Sequence, residues 1–298
     1  MKSFVIDVAR CNGCYNCQIA CKDEHVGNDW TPYAKPQPDT GQFWMKMNEK
    51  VRGTVPKVKV SYVATPCMHC RNAPCMVSCG TDAIYRREDG LVVIDPARCT
   101  GCMSCLDTCP YGAIYFNRDS NLAQKCTGCA HLLDRGWKEP RCVEVCPTEA
   151  IRFGDEKDLR PFIKDASVLL PEDKTRPLVY YLNLPKRFIA GSIYNGEEDE
   201  CLEDVKLTLS SKASVEKRTI CGRGLCFTGV YDTKPKTNVK LIVKTDGFGD
   251  FWFNQIDPSL YTLKIEKEGY ESKTIDVIDV HDEDANLGDI ELEKARGR

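Results

Sequence analysis

The sequence lacks several features that would identify a common class of protein. It has no apolar run of about 18 residues, so no membrane-spanning helix is predicted, and residues 1–10 lack the apolar core of a signal peptide. The formal net charge is only −3, so no basic excess suggests nucleic acid. No Rossmann fingerprint, phosphate loop or nucleophile–base pair is present. We therefore expect a cytoplasmic protein without a catalytic site of its own, unless a partner that carries a signal exports the folded chain.

Cysteine, by contrast, is abundant. The chain has 19 cysteines in 298 residues, and 16 of them precede residue 147. A disulfide framework would need an oxidising compartment and therefore an export signal. Two domains are expected at this length, and the uneven distribution of cysteine indicates that they differ in kind.

A repeat organises the cysteine-rich half. Residues 5–17 and 93–105 match at nine of 13 positions. Three of the four cysteine groups also continue with an Ala-Ile pair: Ala83-Ile84, Ala113-Ile114 and Ala150-Ile151. The groups are group 1 (Cys11, Cys14, Cys17, Cys21), group 2 (Cys67, Cys70, Cys75, Cys79), group 3 (Cys99, Cys102, Cys105, Cys109) and group 4 (Cys126, Cys129, Cys142, Cys146).

The spacing within groups 1 and 3 is typical of iron–sulfur ligation. Cys-x2-Cys-x2-Cys-x3-Cys, closed by Pro110 in group 3, binds [4Fe–4S] clusters in two-cluster ferredoxins, where the fourth cysteine ligates the neighbouring cluster. The proline fits because it cannot continue the short helix on which the fourth cysteine lies. Zinc is the alternative, since Cys-x2-Cys pairs also form tetrahedral sites. The longer run, present in variants four times, favours iron–sulfur clusters.

The order of the groups, with four residues between two cysteines of group 2 and a long insertion inside group 4, resembles the four-cluster electron-transfer (beta) subunits of dimethyl sulfoxide reductase-family molybdopterin oxidoreductases. The resemblance implies that groups 1 and 4 pair, nearer the catalytic subunit, and that groups 2 and 3 pair. It implies four ligand sets: set A (Cys11, Cys14, Cys17, Cys146), set B (Cys126, Cys129, Cys142, Cys21), set C (Cys67, Cys70, Cys75, Cys109) and set D (Cys99, Cys102, Cys105, Cys79). All 16 positions are cysteine, so four clusters are expected.

One position departs from that family. Gly80 follows Cys79 where the family has proline, as at Pro110 and Pro147. The cysteine ligand is retained, and the local turn after it is the part expected to differ.

Residues 41–48, 65–75, 123–134 and 175–181 are similar to the small subunits of pyrogallol–phloroglucinol transhydroxylases, and the likeness extends over almost the whole chain. It implies a large partner subunit with a molybdenum or tungsten pterin and a phenolic or aromatic substrate. Those small subunits lack one cysteine set, whereas set D is intact here. Because transhydroxylation needs no net electron change, four clusters favour net hydroxylation or dehydroxylation.

Two other functions remain open at this stage. A free-standing soluble polyferredoxin would carry electrons between several partners, and a scaffold would use its clusters only to hold the fold. The insertions at residues 22–66 and 130–141 favour a subunit, because a carrier needs little docking surface.

Past residue 188 the pattern changes to short alternating segments. Residues 204–210, 239–244, 251–253 and 261–266 alternate apolar and polar side chains, which predicts an antiparallel β-sandwich. The segments resemble the transthyretin-like, collagen-adhesin B-type domain. The predicted fold is α+β, with tandem ferredoxin-like [4Fe–4S] modules and insertions in residues 1–188 and an all-β sandwich in residues 189–298.

Several side chains allow two interpretations. His69 and His131 lie beside cluster cysteines and would either donate to a cluster sulfide or pack the loops, the interpretation we favour. Trp30, Trp44 and Trp137 are equally compatible with a partner interface and with a core around the clusters.

Three cysteines fall outside the four groups. Cys201 is interpreted as a lone thiol. Cys221 and Cys226 would form a redox disulfide or a metal clip, or remain two reduced thiols, as we expect in the cytoplasm.

Overall fold

The computed structural model describes the backbone of residues 1–212, 214–222, 225–233 and 240–295, and their side chains except those of residues 212–239. Contacts divide the protein into two compact units. The first unit comprises Met1–Lys50 and Ser61–Leu184, and the second comprises Val51–Val60 and Pro185–Arg298. No helix in the described part of the chain is long and apolar enough to cross a membrane. The mixture of many strands and few helices is the predicted α+β class.

The first unit contains all the described α-helices, most of them a single turn long. They are α1 (Asn16–His25), α2 (Pro74–Val77), α3 (Ser104–Asp107), α4 (Ala130–Leu133), α5 (Arg141–Glu144) and α6 (Glu156–Ile163). The strands up to residue 182 are β1 (Lys2–Asp7), β2 (Lys46–Thr54), β3 (Lys57–Thr65), β4 (Ile84–Arg86), β5 (Val92–Ile94), β6 (Tyr115–Asn117), β7 (Leu122–Gln124), β8 (Ile151–Asp155) and β9 (Val179–Leu182). Short 3-10 turns cover Val8–Arg10 and Pro171–Asp173.

A three-stranded sheet lies at the centre of the first unit. β1 pairs antiparallel with β8 and parallel with β9, so Ile6 lies between Ile151 and Tyr181. These three side chains are buried in one cluster that also contains eight of the group cysteines. The hairpins β2–β3, β4–β5 and β6–β7 connect the cysteine groups. Buried thiols are therefore a substantial part of the core of this unit.

The turn after the fourth cysteine is the same in groups 2, 3 and 4. The carbonyl oxygens of Cys79, Cys109 and Cys146 each accept a hydrogen bond from the backbone N–H three residues later, at 3.1–3.3 Å. Gly80 therefore leaves the turn unchanged, and the expected difference at this position is absent. The donors, Asp82, Gly112 and Glu149, all have a positive φ of 50–57°.

The strands that follow residue 184 form the second unit. They are β10 (Arg187–Asn195), β11 (Glu200–Cys201), β12 (Lys206–Lys212), β13 (Ser214–Gly222), β14 (Leu225–Thr233), β15 (Lys240–Lys244), β16 (Asp250–Ile256), β17 (Leu260–Glu266), β18 (Lys273–Asp279) and β19 (Ala285–Glu291). One sheet has the order β11-β10-β16 with β19 also paired to β10, a second has the order β15-β12-β17-β18, and β13 and β14 form a separate ribbon. Ile193 and Phe251 of the first sheet and Leu207 and Leu263 of the second lie in one buried cluster.

The tip of the β2–β3 hairpin belongs to this second unit. Gly53 packs against the ring of Phe188, since a Cβ at residue 53 would lie 2.5 Å from Cζ of that ring. Arg52 forms a buried ion pair with Asp284 at 3.1 Å, and Lys57 forms another ion pair with Asp250. Residues 22–66 were predicted to be one insertion, so this division within the hairpin is a difference from the prediction.

Candidate iron–sulfur centres

The Cys-x-x-Cys turns depend on a left-handed backbone at their third residue. In groups 1, 3 and 4 this residue is glycine, with φ of +71°, +73° and +64° at Gly13, Gly101 and Gly128. A Cβ at Gly101 would lie 2.4 Å from the carbonyl oxygen of Asn121. In group 2 the same position is His69, with φ of 43°. For a residue other than glycine, this backbone conformation costs about 1–2 kcal/mol.

The thiols of two predicted sets line separate cavities. One cavity is lined by Cys11, Cys14, Cys17 and Cys146. A second cavity is lined by Cys67, Cys70, Cys75 and Cys109. In both, the fourth thiol comes from the paired group, group 4 for the first cavity and group 3 for the second.

The thiols of set B are close enough to affect one another. Burial raises the pKa of Cys142 far above its usual value, and the thiols of Cys129, Cys21 and Cys126 raise it further. Burial is also the main reason that the pKa of Cys129 rises to about 12.

Set D has one exposed, two partly buried and one buried thiol, as set A does. Burial raises the pKa of Cys105 to about 12, and Cys99 adds to the effect. The fourth member, Cys79, follows α2 as Cys109 follows α3, and the hydroxyls of Ser78 and Thr108 are 3.1 Å apart. The ends of the two helices that carry the crossing cysteines therefore meet.

Neighbouring sets are also in electrostatic contact. Burial is the main reason that the pKa values of Cys142, Cys126 and Cys105 are raised, and in each case a thiol of an adjacent set adds to the rise. Cys17 of set A acts on Cys142 of set B. Cys67 of set C acts on Cys126 of set B, and Cys75 of set C acts on Cys105 of set D. Set A is thus next to set B, set B next to set C, and set C next to set D.

Backbone N–H groups point at the sulfur atoms. Ala150 N–H donates to Cys146 Sγ at 3.2 Å and Ala113 N–H donates to Cys109 Sγ at 3.5 Å. Burial of Cys146 opposes ionisation, but hydrogen bonds from Ile151, Thr148 and Ala150 outweigh it, and the pKa of Cys146 is lowered. The Ala-Ile pairs of the repeat therefore have a structural role, because the small buried alanine lets the backbone approach the fourth thiol.

The donor set fits [4Fe–4S] clusters. Buried thiols resist ionisation unless a positive charge compensates the thiolate, and clustered iron supplies that charge. In the described part of the chain, no three His, Cys, Asp or Glu side chains lie close enough together to hold a single metal ion. The thiols of sets A and C instead surround cavities that open between two cysteine groups.

The two candidate histidines differ in their partners. His69 is 1% exposed, its Nδ1 accepts the N–H of Val92 at 3.0 Å, and its Nε2 has no partner among the described residues. His131 bonds through Nε2 to Glu24 at 2.9 Å and stacks on Trp30 with ring centroids 4.1 Å apart, and its buried Nδ1 has no partner among the described residues. The geometry of His131 therefore matches loop packing, whereas His69 retains a buried donor.

The three candidate tryptophans differ in how far they are buried. Trp44 is 2% exposed and lies in the first core, with its ring 4.6 Å from that of His25. Trp30 is partly buried against the same core. Trp137 is 43% exposed, which leaves it as the candidate interface residue.

The cysteines outside the groups form no described cluster set. Cys201 is exposed and free. The side chains of Cys221 and Cys226, on which the alternatives of disulfide, metal clip and reduced thiols depend, lie outside the described side chains.

Sequence reasoning missed two residues of the site. Lys125 is buried beside Cys126, and Glu24 joins α1 to group 4 through His131 and Arg141. The available signal was position alone, because Lys125 directly precedes Cys126 and Glu24 follows Cys21 by three residues.

Comparison with known proteins identifies the kind of protein to which this chain belongs. Residues 58–156 match the family model of the 4Fe-4S dicluster domain. Over 299 aligned residues, the chain is 38% identical to the pyrogallol hydroxytransferase small subunit of Pelobacter acidigallici, covering 97% of this chain and 98% of that protein. This protein belongs to the family of that small subunit. Nearly the whole length of the chain takes part in the match, so the match includes the second unit.

Other relatives match a smaller part of the chain. The chain is 37% identical to a subunit of the tetrathionate reductase of Salmonella typhimurium, over 63% of this chain and 74% of the relative. It is 35% identical to a subunit of the anaerobic dimethyl sulfoxide reductase of Escherichia coli, over 56% of this chain and 80% of the relative. The chain is an iron–sulfur electron-transfer subunit of the molybdoenzyme type, and a free-standing carrier is not favoured.

Proposed function

We propose that this chain conducts electrons through four [4Fe–4S] clusters to or from a molybdenum or tungsten bis-pterin in a larger catalytic subunit. The observation that carries the proposal is the interlocked arrangement of the cysteine groups, in which the fourth thiol of one group enters the cavity of another. Each cluster would supply one-electron redox chemistry. The chain supplies the thiolates, the backbone N–H groups around them and a buried environment.

The proposed ligands are the four sets inferred from the sequence. Shared cavities support sets A and C, and the mutual effects on thiol pKa values support set B. For set D, the mutual effects connect Cys99, Cys102 and Cys105, and Cys79 is assigned through the meeting of α2 and α3.

The proposed path of the electrons follows the adjacency of the sets. Because A adjoins B, B adjoins C and C adjoins D, the clusters would form one linear path. By family resemblance the end at set A would lie nearer the pterin. Set D, at the opposite end of the path and with Cys102 on the surface, would then exchange electrons with an external donor or acceptor.

The proposed substrate is phenolic or aromatic, because the relative that matches along the whole chain is named for pyrogallol. Four clusters support net hydroxylation or dehydroxylation of the ring, with electrons entering or leaving through set D. The second unit is proposed to be a transthyretin-like, collagen-adhesin B-type sandwich that braces the complex, with the domain boundary at residue 188. A cytoplasmic location is part of the same proposal.

Anaerobic co-purification through a tag on this chain, followed by metal analysis, tests the function. We expect about 16 iron atoms per copy, from four clusters of four irons, and a large second subunit that contains molybdenum or tungsten. The complex is then assayed on phenols with a redox dye. Iron without a partner would favour a free carrier, and zinc in place of iron would refute the cluster proposal.

A further inference from the structure

Lys125 is a buried lysine without a carboxylate partner. It follows β7 directly and is only 2% exposed. Its Nζ donates to the carbonyl oxygen of Val92 and, at 3.1 Å, to that of Cys126. Among the side chains that the structure describes, none forms an ion pair with it. A buried cation of this kind is costly unless negative charge elsewhere compensates it.

The two carbonyl groups belong to the surroundings of different cysteine sets. Val92 lines the cavity of set C together with Cys67 and Cys75, and Cys126 is itself a member of set B. The lysine head group is therefore held at the junction between sets B and C. All four thiols of set B and three of the four of set C are buried, with Cys109 partly buried, so little solvent screens a charge placed there.

We propose that Lys125 is a positioning residue for electron transfer, which places a fixed positive charge between the clusters of sets B and C and raises the reduction potentials of both. The inference rests on the proposed ligand sets. An iron–sulfur cluster with its thiolates is negatively charged, and reduction adds another electron to it. A nearby cation therefore stabilises the reduced state, in keeping with the dependence of cluster potentials on local charge. The two inner clusters would accept electrons more readily, while the outer clusters of sets A and D would be affected much less.

A second buried lysine provides a matched control. Lys57 is 5% exposed but forms an ion pair with Asp250, within the second unit. Substitution of Lys57 removes a buried positive charge that already has a carboxylate partner. If Lys125 only supports the fold, Lys125→Met should leave the cluster potentials unchanged, as Lys57→Met should.

The test uses the complete complex with Lys125→Met, Lys125→Gln, Lys125→Arg or Lys57→Met. Iron content is measured first, and EPR-monitored titrations then give the potential of each cluster. In the two neutral Lys125 variants we expect the equilibrium constants for reduction of the inner clusters to fall at least tenfold. This is equivalent to a decrease in reduction potential of about 59 mV for one electron. Lys125→Arg should restore most of the shift, and Lys57→Met should leave all potentials unchanged.

Each outcome separates this inference from the proposed function. A wild-type complex without iron would refute the function, whereas iron-replete Lys125 variants with unchanged potentials would refute only the inference. Both neutral variants could also fail to assemble clusters. Loss of about eight of about 16 irons, confined to sets B and C, would then support charge compensation. Loss of all clusters would mean that Lys125 only holds the fold, which overturns the proposal.

Discussion

The third residue of each Cys-x-x-Cys turn has a left-handed backbone conformation, which favours glycine. Three of the four are glycine, whereas His69 occupies the left-handed conformation with a side chain. Because a backbone N–H can only donate, the bond from Val92 leaves Nδ1 unprotonated and places the proton of the neutral ring on Nε2. A conformation that costs energy and an unused buried donor together indicate a role at set C.

We expect His69→Leu to lower the reduction potential of the cluster in set C. The substitution removes a buried donor to a negatively charged group, an interaction of about 1.5–3 kcal/mol. An EPR-monitored titration measures the shift. His69→Gln should recover part of it, because glutamine can accept from Val92 through oxygen and still donate through nitrogen. His281→Leu, at an exposed histidine, is the control. Equal potentials in wild type and His69→Leu would show that the ring only packs the loop.

The crossing of ligands between groups gives a second prediction for single residues. Cys146→Ser should damage the cluster held by Cys11, Cys14 and Cys17, because Cys146 lines that cavity. About four irons should be lost, while the cluster of set B remains. Iron analysis and EPR provide the measurement, and Cys201→Ser, at an exposed free thiol, is the control. Loss of the set B signal instead would reverse the pairing of groups 1 and 4.

At the scale of elements, local patterns were predictable and long-range ones were not. The alternating segments predicted at residues 204–210 and 261–266 correspond to β12 and β17 within a few residues. The hairpin β2–β3 was missed, although it is 20 residues long from end to end. The pattern of buried and exposed residues in β2 is irregular because its tip and its base belong to different units. The partners of the tip, such as Phe188 and Asp284, are more than 100 residues away in sequence. Nothing in the local sequence specifies such contacts.

The hairpin tip should be sensitive to small changes at Gly53. A Cβ there would lie 2.3 Å from the carbonyl oxygen of Lys57 and 2.5 Å from the Phe188 ring, at φ of +82°. Gly269 has nearly the same φ, +83°, but nothing within 4 Å of its Cβ position. Both alanine substitutions cost about 1–2 kcal/mol for the left-handed backbone, and Gly53→Ala should cost a further 1–3 kcal/mol or so for overpacking.

Chemical denaturation of the second unit, followed through Trp252 fluorescence, measures this difference. Trp252 is the tryptophan that lies in the second unit. If the two variants prove equally stable, the packing of the tip against Phe188 contributes nothing to the second unit.

At the scale of the whole molecule, the two units are stabilised in different ways. The buried cluster of the first unit includes Cys17, Cys21, Cys67, Cys126 and other group cysteines. Among the side chains that the structure describes, the buried cluster of the second unit contains only aliphatic and aromatic ones. Cysteine spacing made the first kind of core recognisable from sequence. Which thiols adjoin which, and that Lys125 lies between two sets, depends on how four loops pack together, and the spacing alone does not determine this.

Removal of iron should therefore unfold the first unit and spare the second. Without the clusters, the buried thiols of the first core would surround cavities. Folding and metal binding are therefore expected to be coupled in the first unit. We expect a chelator combined with an oxidant to abolish the secondary structure of the first unit, as judged by circular dichroism. Limited proteolysis should then leave a resistant fragment that begins near residue 185. Because residues 51–60 pack with this unit, the fragment should be less stable than the same unit in the intact chain. Loss of both units together on chelation would mean that the sandwich depends on the cluster fold, and the proposed boundary at residue 188 would then not separate independent domains.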